Sequence, residues 1–152
     1  MFRETTYDKG NISESIVLSA YLRAGFNVSV PFGTGAPYDL VVDNCGTFFR
    51  VQVKTAWYKN GCILYKGRRR VRDASHNAMR SYTREEVDYF AIYYPKNGQI
   101  YVVPLHNSDG CLRIEPTLNS QRKHIRWAID FTWDKHVAEL NENQSLKAKT
   151  MD

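Results

Sequence analysis

The stretch Pro37-Tyr38-Asp39-Leu40-Val41-Val42-Asp43-Asn44-Cys45-Gly46-Thr47-Phe48-Phe49-Arg50-Val51-Gln52-Val53-Lys54 decides how this chain is read. Two β-rich runs, residues 38–43 and 47–56, flank Asn44-Cys45-Gly46, a hairpin turn signal. In the second run Gln52 and Lys54 are two apart, so their side chains leave the same face, about 6–7 Å apart along the strand. Val51 and Val53 take the other face and anchor it in a core. Pairing through the turn sets Asp39 beside the far end of the second run. A carboxylate, an amide oxygen and an ammonium then converge at one sheet edge.

That trio suits phosphodiester hydrolysis. A hard cation such as Mg²⁺ takes oxygen ligands. Asp39 offers a carboxylate, Gln52 a neutral carbonyl and Val53 a main-chain carbonyl. A bound cation polarises a phosphate and acidifies water, while Lys54 holds that water or stabilises charge on the phosphate oxygens.

Working outward, residues 11–24 predict an amphipathic helix with Ile12, Ile16, Val17, Ala20, Tyr21 and Ala24 at helical spacing. Asn11 is its expected cap and Gly25 its expected end. Residues 27–30 read as a short strand before a loop that begins at Pro31. Downstream, residues 62–65 predict a strand, followed by the basic run Lys66-Gly67-Arg68-Arg69-Arg70-Val71-Arg72. Strands at 87–94 and 99–104 turn at Lys96-Asn97-Gly98; 111–115 adds a strand and 134–140 a short helix. The pattern predicts a single α/β domain over 1–140 around a mostly antiparallel or mixed sheet, with a flexible tail at 141–152.

The chain has 152 residues and no apolar stretch of membrane-spanning length. Its first residues lack the apolar segment of a signal peptide. Three scattered cysteines, Cys45, Cys62 and Cys111, argue against a disulfide framework or zinc site. An intracellular (cytoplasmic) protein is expected. Net charge is +5, yet residues 50–84 carry ten Lys or Arg against one acid, Asp73, so that segment holds +9 and the remainder −4. Such concentration points to a polyanion, nucleic acid first, or to a solvated charged loop.

Taken together, Pro37-Tyr38-Asp39, twelve residues, then Gln52-Val53-Lys54 resembles the PD-(D/E)xK nuclease superfamily. Tyr38 is inserted before the acid, and Gln52 replaces the usual Asp or Glu. The Val-Gln-Val-Lys-Thr-Ala-Trp context and residues 82–90 are similar to the small endonucleases of that fold that include a group I intron-encoded homing endonuclease. The resemblance runs from about residue 11 to 104 and onward toward 127. It implies a restriction-endonuclease-like core with a mixed central sheet flanked by helices, Mg²⁺ or another divalent cation, double-stranded cutting of a long DNA target, and a homotetramer. It also implies an acidic residue on the N-terminal helix, where Glu14 stands; the competing reading is a capping box formed by Asn11 and Glu14.

Lys66, Arg68, Arg69, Arg70 and Arg72 are assigned to DNA, with Arg68, Arg70 and Arg72 on one face of a strand and Arg69 on the other. Lys59, Arg80 and Arg84 are further phosphate contacts. Trp57, Tyr58, Tyr93, Tyr94 and Tyr101 are assigned to packing or interfaces, as are Trp127, Phe131 and Trp133. The four histidines show no ligand spacing. Two other functions fit the same residues: a structure-specific junction or repair nuclease, and a non-catalytic DNA-binding or assembly module.

Overall fold

The computed structural model describes residues 5–33, 35–72, 77–105, 110–116 and 125–150. Helix α1 (Thr6–Arg23) starts five residues before the expected position. Thr5 caps it, its side chain accepting from Asp8 N at 3.2 Å while Asp8 Oδ2 accepts from Thr5 N at 2.8 Å. Asn11, the expected cap, therefore lies inside the helix, and the Asn11–Glu14 capping box of the competing reading is not formed. Gly10, a poor helix former, makes the first turn resemble a linker in the sequence. At the other end Gly25, at φ +90°, and Phe26 donate to the carbonyls of Leu22 and Tyr21, closing the helix with a left-handed glycine. The buried face is Ser13, Val17 and Tyr21. Ile12, assigned to that face, points outward at 45% exposure.

Among the described residues the strands are β1 (Asn27–Ser29), β2 (Leu40–Asn44), β3 (Thr47–Thr55), β4 (Trp57–Lys59), β5 (Cys62–Tyr65), β6 (Arg68–Arg72), β7 (Asn77–Ser81), β8 (Tyr89–Tyr94), β9 (Gln99–Pro104) and β10 (Gly110–Arg113). The hairpin turns on two residues rather than three, because Asn44 still pairs with Thr47. Cys45 and Gly46 both have positive φ, 51° and 83°, the backbone of a tight turn that matches strand twist.

The main sheet runs β1-β2-β3-β8-β9 and is mixed: β3 and β8 are parallel, the other neighbours antiparallel. Val51 and Val53 join Val17, Tyr21, Leu40, Val42, Phe49 and Leu140 in a core beneath the helices. The opposite face, with Phe90, Ile92 and Val103, packs on Ile63 and Tyr65 of β5 and Leu112 of β10, which belong to a second sheet ordered β10-β5-β4. Strand β3 thus buries Phe49, Val51 and Val53 beneath the helices, while Arg50, Gln52 and Lys54 on its other face are only partly buried and remain open to chemistry. The arginine run forms β6, paired with β7 in a two-stranded ribbon; the polar composition of residues 77–81 gives no sign of that partner strand.

Helix α2 (Trp133–Thr150) extends ten residues past the short helix expected there, through the segment expected to be a flexible tail. Its apolar contacts stop at Leu140, which explains why the remainder reads as a tail, but its polar side chains are anchored. Buried Asn44 donates to the Leu140 carbonyl at 3.3 Å and accepts from Gln144, and Lys147 bonds Thr47. Trp133 stacks edge-on against Tyr21 at 4.8 Å, so this tryptophan packs within the chain. His136 is buried among Tyr21, Phe49, Tyr89 and Trp133, with Nε2 2.9 Å from the Tyr21 hydroxyl. Burial pushes its pKa down to about 4. His76, His106 and His124 lie outside the described residues. Among the described residues no helix is long and apolar enough to cross a membrane.

Candidate active site

Asp39 sits immediately before β2, where its N–H donates to the Val51 carbonyl at 2.9 Å and continues the hairpin register. Its Oδ2 accepts from the backbone N–H of Val53 at 2.7 Å and from the Gln52 amide at 2.5 Å. The same amide nitrogen lies 3.3 Å from the Val53 carbonyl. Lys54, two residues on, places Nζ 3.0 Å from the Tyr82 hydroxyl. Gln52 and Lys54 share a face, as period-two alternation requires.

Glu14 approaches from α1. The helix is fixed against β3 by Ser13, fully buried, whose Oγ lies 2.6 Å from Thr55 Oγ1. That contact sets Glu14, the next residue, where its charge is felt by both Asp39 and Lys54. Burial raises the Glu14 pKa, the Asp39 charge raises it further, and Lys54 opposes both. Burial also raises Asp39, against the Val53 N–H, the Lys54 charge and the Gln52 amide. Lys54 is lowered by burial, with Asp39 and Glu14 opposing and Arg69 adding to the effect. Tyr82 is pushed up to about 12, by burial first and then by Asp39. Two carboxylates that repel each other in a partly dry site, with one ammonium acting on both, form an arrangement short of positive charge.

The sequence matches the PD-(D/E)XK endonuclease family over residues 4–134. The chain belongs to that family. Among curated proteins none matches it. A solved structure described as that of a bacterial homing endonuclease, I-Ssp6803I, is similar at 25% identity and a TM-score of 0.72, over 94% of this chain and 98% of that one. The mixed sheet flanked by helices is therefore the expected PD-(D/E)XK fold, and the chain is a nuclease whose substrate is DNA.

In this endonuclease Gln52 stands where the motif read from the sequence expects an acid, and the donors around it are all accounted for by hydrogen bonds. The Gln52 NH₂ bridges Asp39 Oδ2 and the Val53 carbonyl, two of the oxygens expected as ligands. Presenting the amide oxygen instead would leave three oxygens converging with no proton among them, which a cation would resolve. Among the described residues no three His, Cys, Asp or Glu side chains gather in one place. A cation here therefore depends on the neutral oxygens of Gln52 and Val53 as well as on Asp39 and Glu14. All the donors are oxygens, the set a hard divalent ion prefers.

The endonuclease's basic residues divide into two groups. Arg68 and Arg70 are exposed on one face of β6, the same strand carries Arg72, and Arg69 turns to the other side, as the alternation predicts. Lys59, Lys66 and Arg84 are exposed. Arg69 and Arg80, expected from sequence to contact DNA, are both paired with Glu86: Arg69 at 3.3 Å, Arg80 through two hydrogen bonds, one of 2.8 Å. These bonds, those from Arg80 foremost, bring Glu86 down to about 2. Arg50 is likewise engaged, its Nε 3.0 Å from Asp88 and its Nη2 2.9 Å from the Arg84 carbonyl. The sequence singles out neither Tyr82 nor Glu86, because each acts on residues that lie far along the chain or across the ribbon.

Proposed function

We propose that this nuclease is a site-specific endonuclease of the homing type, hydrolysing phosphodiester bonds of double-stranded DNA with Mg²⁺ or a related divalent cation. The observation that carries the reading is the meeting of Glu14, Asp39 and Lys54, from α1, the start of β2 and β3, with a Gln52 amide bridging Asp39 and the Val53 carbonyl. Asp39, Glu14, Gln52 and the Val53 carbonyl would hold the cation. When bound, it would polarise the scissile phosphate and acidify the attacking water. Lys54 would donate to that water or to the phosphate oxygens, held in place by Tyr82. Lys59, Lys66, Arg68, Arg70, Arg72 and Arg84 would bind DNA, with Arg69 and Arg80 reaching it only after parting from Glu86.

Homing specificity, an origin within a group I intron, a homotetramer and an intracellular location belong to this reading. The likeness to a bacterial homing endonuclease over nearly the whole of both chains supports the first of these. The domain is read as 1–140, with 141–152 as an appendage whose helical part is anchored on the first hairpin.

The deciding experiment selects cleaved molecules from a random duplex library with purified protein and Mg²⁺. Enrichment of one long sequence supports homing-type specificity. A preference for four-way junctions over every linear duplex would replace it with a structure-specific nuclease. Intact DNA under all divalent cations would leave a non-catalytic DNA-binding module.

A further inference from the structure

Beside the active site a cleft of about 700 Å³ opens between the first turn of α1, the end of β3, strand β4 and the β5–β6 junction. Its charged lining is Lys9, Lys54, Lys66 and Arg68, with no carboxylate among the lining residues. Trp57 forms part of one wall and is 43% exposed, although its sequence context suggests packing. Lys9 and Lys66 are exposed, and neither makes an ion pair among the described residues. Lys9 also stands in the first turns of α1, at the positive end of the helix dipole, where a cation works against helix stability. The dipole and the lysine together deepen the positive potential of the cleft. Lys54 belongs to both the cleft and the catalytic group, so whatever fills the cleft continues directly from the reacting phosphate.

We infer that this cleft holds the sugar–phosphate backbone of the cut strand next to the scissile phosphate, with Lys9 and Lys66 on flanking phosphates and Trp57 against a sugar or base. The inference rests on the nuclease reading. A cleft of this volume accommodates a nucleotide-sized group. In a duplex the bases are already stacked, so the indole would pack on the deoxyribose or a base edge at the backbone and contribute affinity rather than sequence choice.

The test measures binding of a labelled duplex of arbitrary sequence in EDTA across a salt series, which separates it from catalysis. Lys9→Ala and Lys66→Ala should each flatten the slope of log K against log salt by about 0.9. Trp57→Ala should weaken binding by about two- to fivefold, from lost apolar contact, with the slope unchanged. Lys135→Ala, which removes a lysine paired with Asp130 on α2, serves as the control for lost net charge and should leave the slope as it is. Unchanged slopes for Lys9 and Lys66, an equal flattening by Lys135→Ala, or a wild-type protein that does not bind the duplex would each overturn the inference. Binding through these residues without cleavage under any divalent cation would overturn only the proposed function.

Discussion

Lys54 and Tyr82 form one unit: the ammonium lies 3.0 Å from the hydroxyl and 5.0 Å from the ring centroid. Tyr82 is buried and packs edge-on against Phe90 at 5.4 Å, so the core sets where the hydroxyl stands. Tyr82→Phe keeps that packing and removes only the acceptor. Loss of a hydrogen bond to a charged group, about 1.5–3 kcal/mol, lowers the Tm by several degrees, and the freed ammonium predicts about a tenfold fall in the single-turnover cleavage rate with DNA affinity nearly unchanged. A wild-type rate would remove Tyr82 from any part in positioning Lys54.

Glu14 and Asp39 both have raised pKa values, chiefly through burial. A carboxyl that is harder to ionise in the folded state stabilises the fold at low pH and loses that contribution as pH rises through its folded pKa. At neutral pH both groups therefore strain the metal-free protein. Glu14→Gln should raise its Tm in EDTA, abolish most of the stabilisation given by added Mg²⁺, and slow cleavage by on the order of 100-fold. Thermal melts with and without Mg²⁺ check this; equal stabilisation of variant and wild type would take Glu14 out of the cation site.

His136 supplies a pH dependence of the opposite kind. Its folded pKa of about 4 lies below the ordinary 6.5 because the ring is buried. The unfolded chain therefore takes up a proton below pH 6.5 that the folded protein refuses until pH 4. Stability should fall over that window by about 3 kcal/mol, a slope that His136→Gln should flatten. Urea melts between pH 7 and pH 4 measure it, and parallel curves for the two proteins would contradict the assignment.

Glu86 pairs with both Arg69 and Arg80. Glu86→Gln should release both and steepen the salt dependence of DNA binding, whereas replacing Arg68, Arg70 and Arg72 by Ala should flatten it by as much as about three units. Anisotropy titrations distinguish these outcomes. If Glu86→Gln leaves the salt slope unchanged, the released arginines do not reach DNA.

The anchored part of α2 yields a stability prediction. Deleting residues 141–152 removes the Gln144 and Lys147 contacts with the first hairpin and exposes the Asn44 side chain. An unpaired polar group costs about 1–3 kcal/mol when buried and less as water reaches it, so the Tm should drop by a few degrees. A Tm equal to that of the full chain would mean that the helix end is a passive appendage.

Much of the strand that carries Gln52 and Lys54 is legible in the sequence. The register placing Asp39 beside Gln52 and Val53 follows from one short turn, and the sharing of a face by Gln52 and Lys54 follows from alternation alone. The start of α1 is not legible: Gly10 interrupts the helical signal, and the Thr5–Asp8 cap sits ahead of the apolar pattern. Residues 141–150 read as a tail because their helix is held by polar bonds to a distant hairpin and carries no apolar stripe. The β6–β7 ribbon is half legible, its arginine alternation visible but its partner strand hidden in a polar segment.

By itself, then, the sequence determined the Asp39–Gln52–Lys54 strand edge, because turns and side-chain alternation are short-range consequences of backbone geometry. Only the tertiary structure decided which charges join that edge and which are taken away from it. Ser13 on Thr55 carries Glu14 to the site, while the Thr5–Asp8 cap leaves it free of helix capping. Tyr82 comes from 28 residues away to meet Lys54, and Glu86 neutralises part of the basic surface by pairing with two arginines. Such pairings depend on the packing of remote segments and on the cost of leaving a charge unpartnered in a partly dry environment, and neither is written in local spacing.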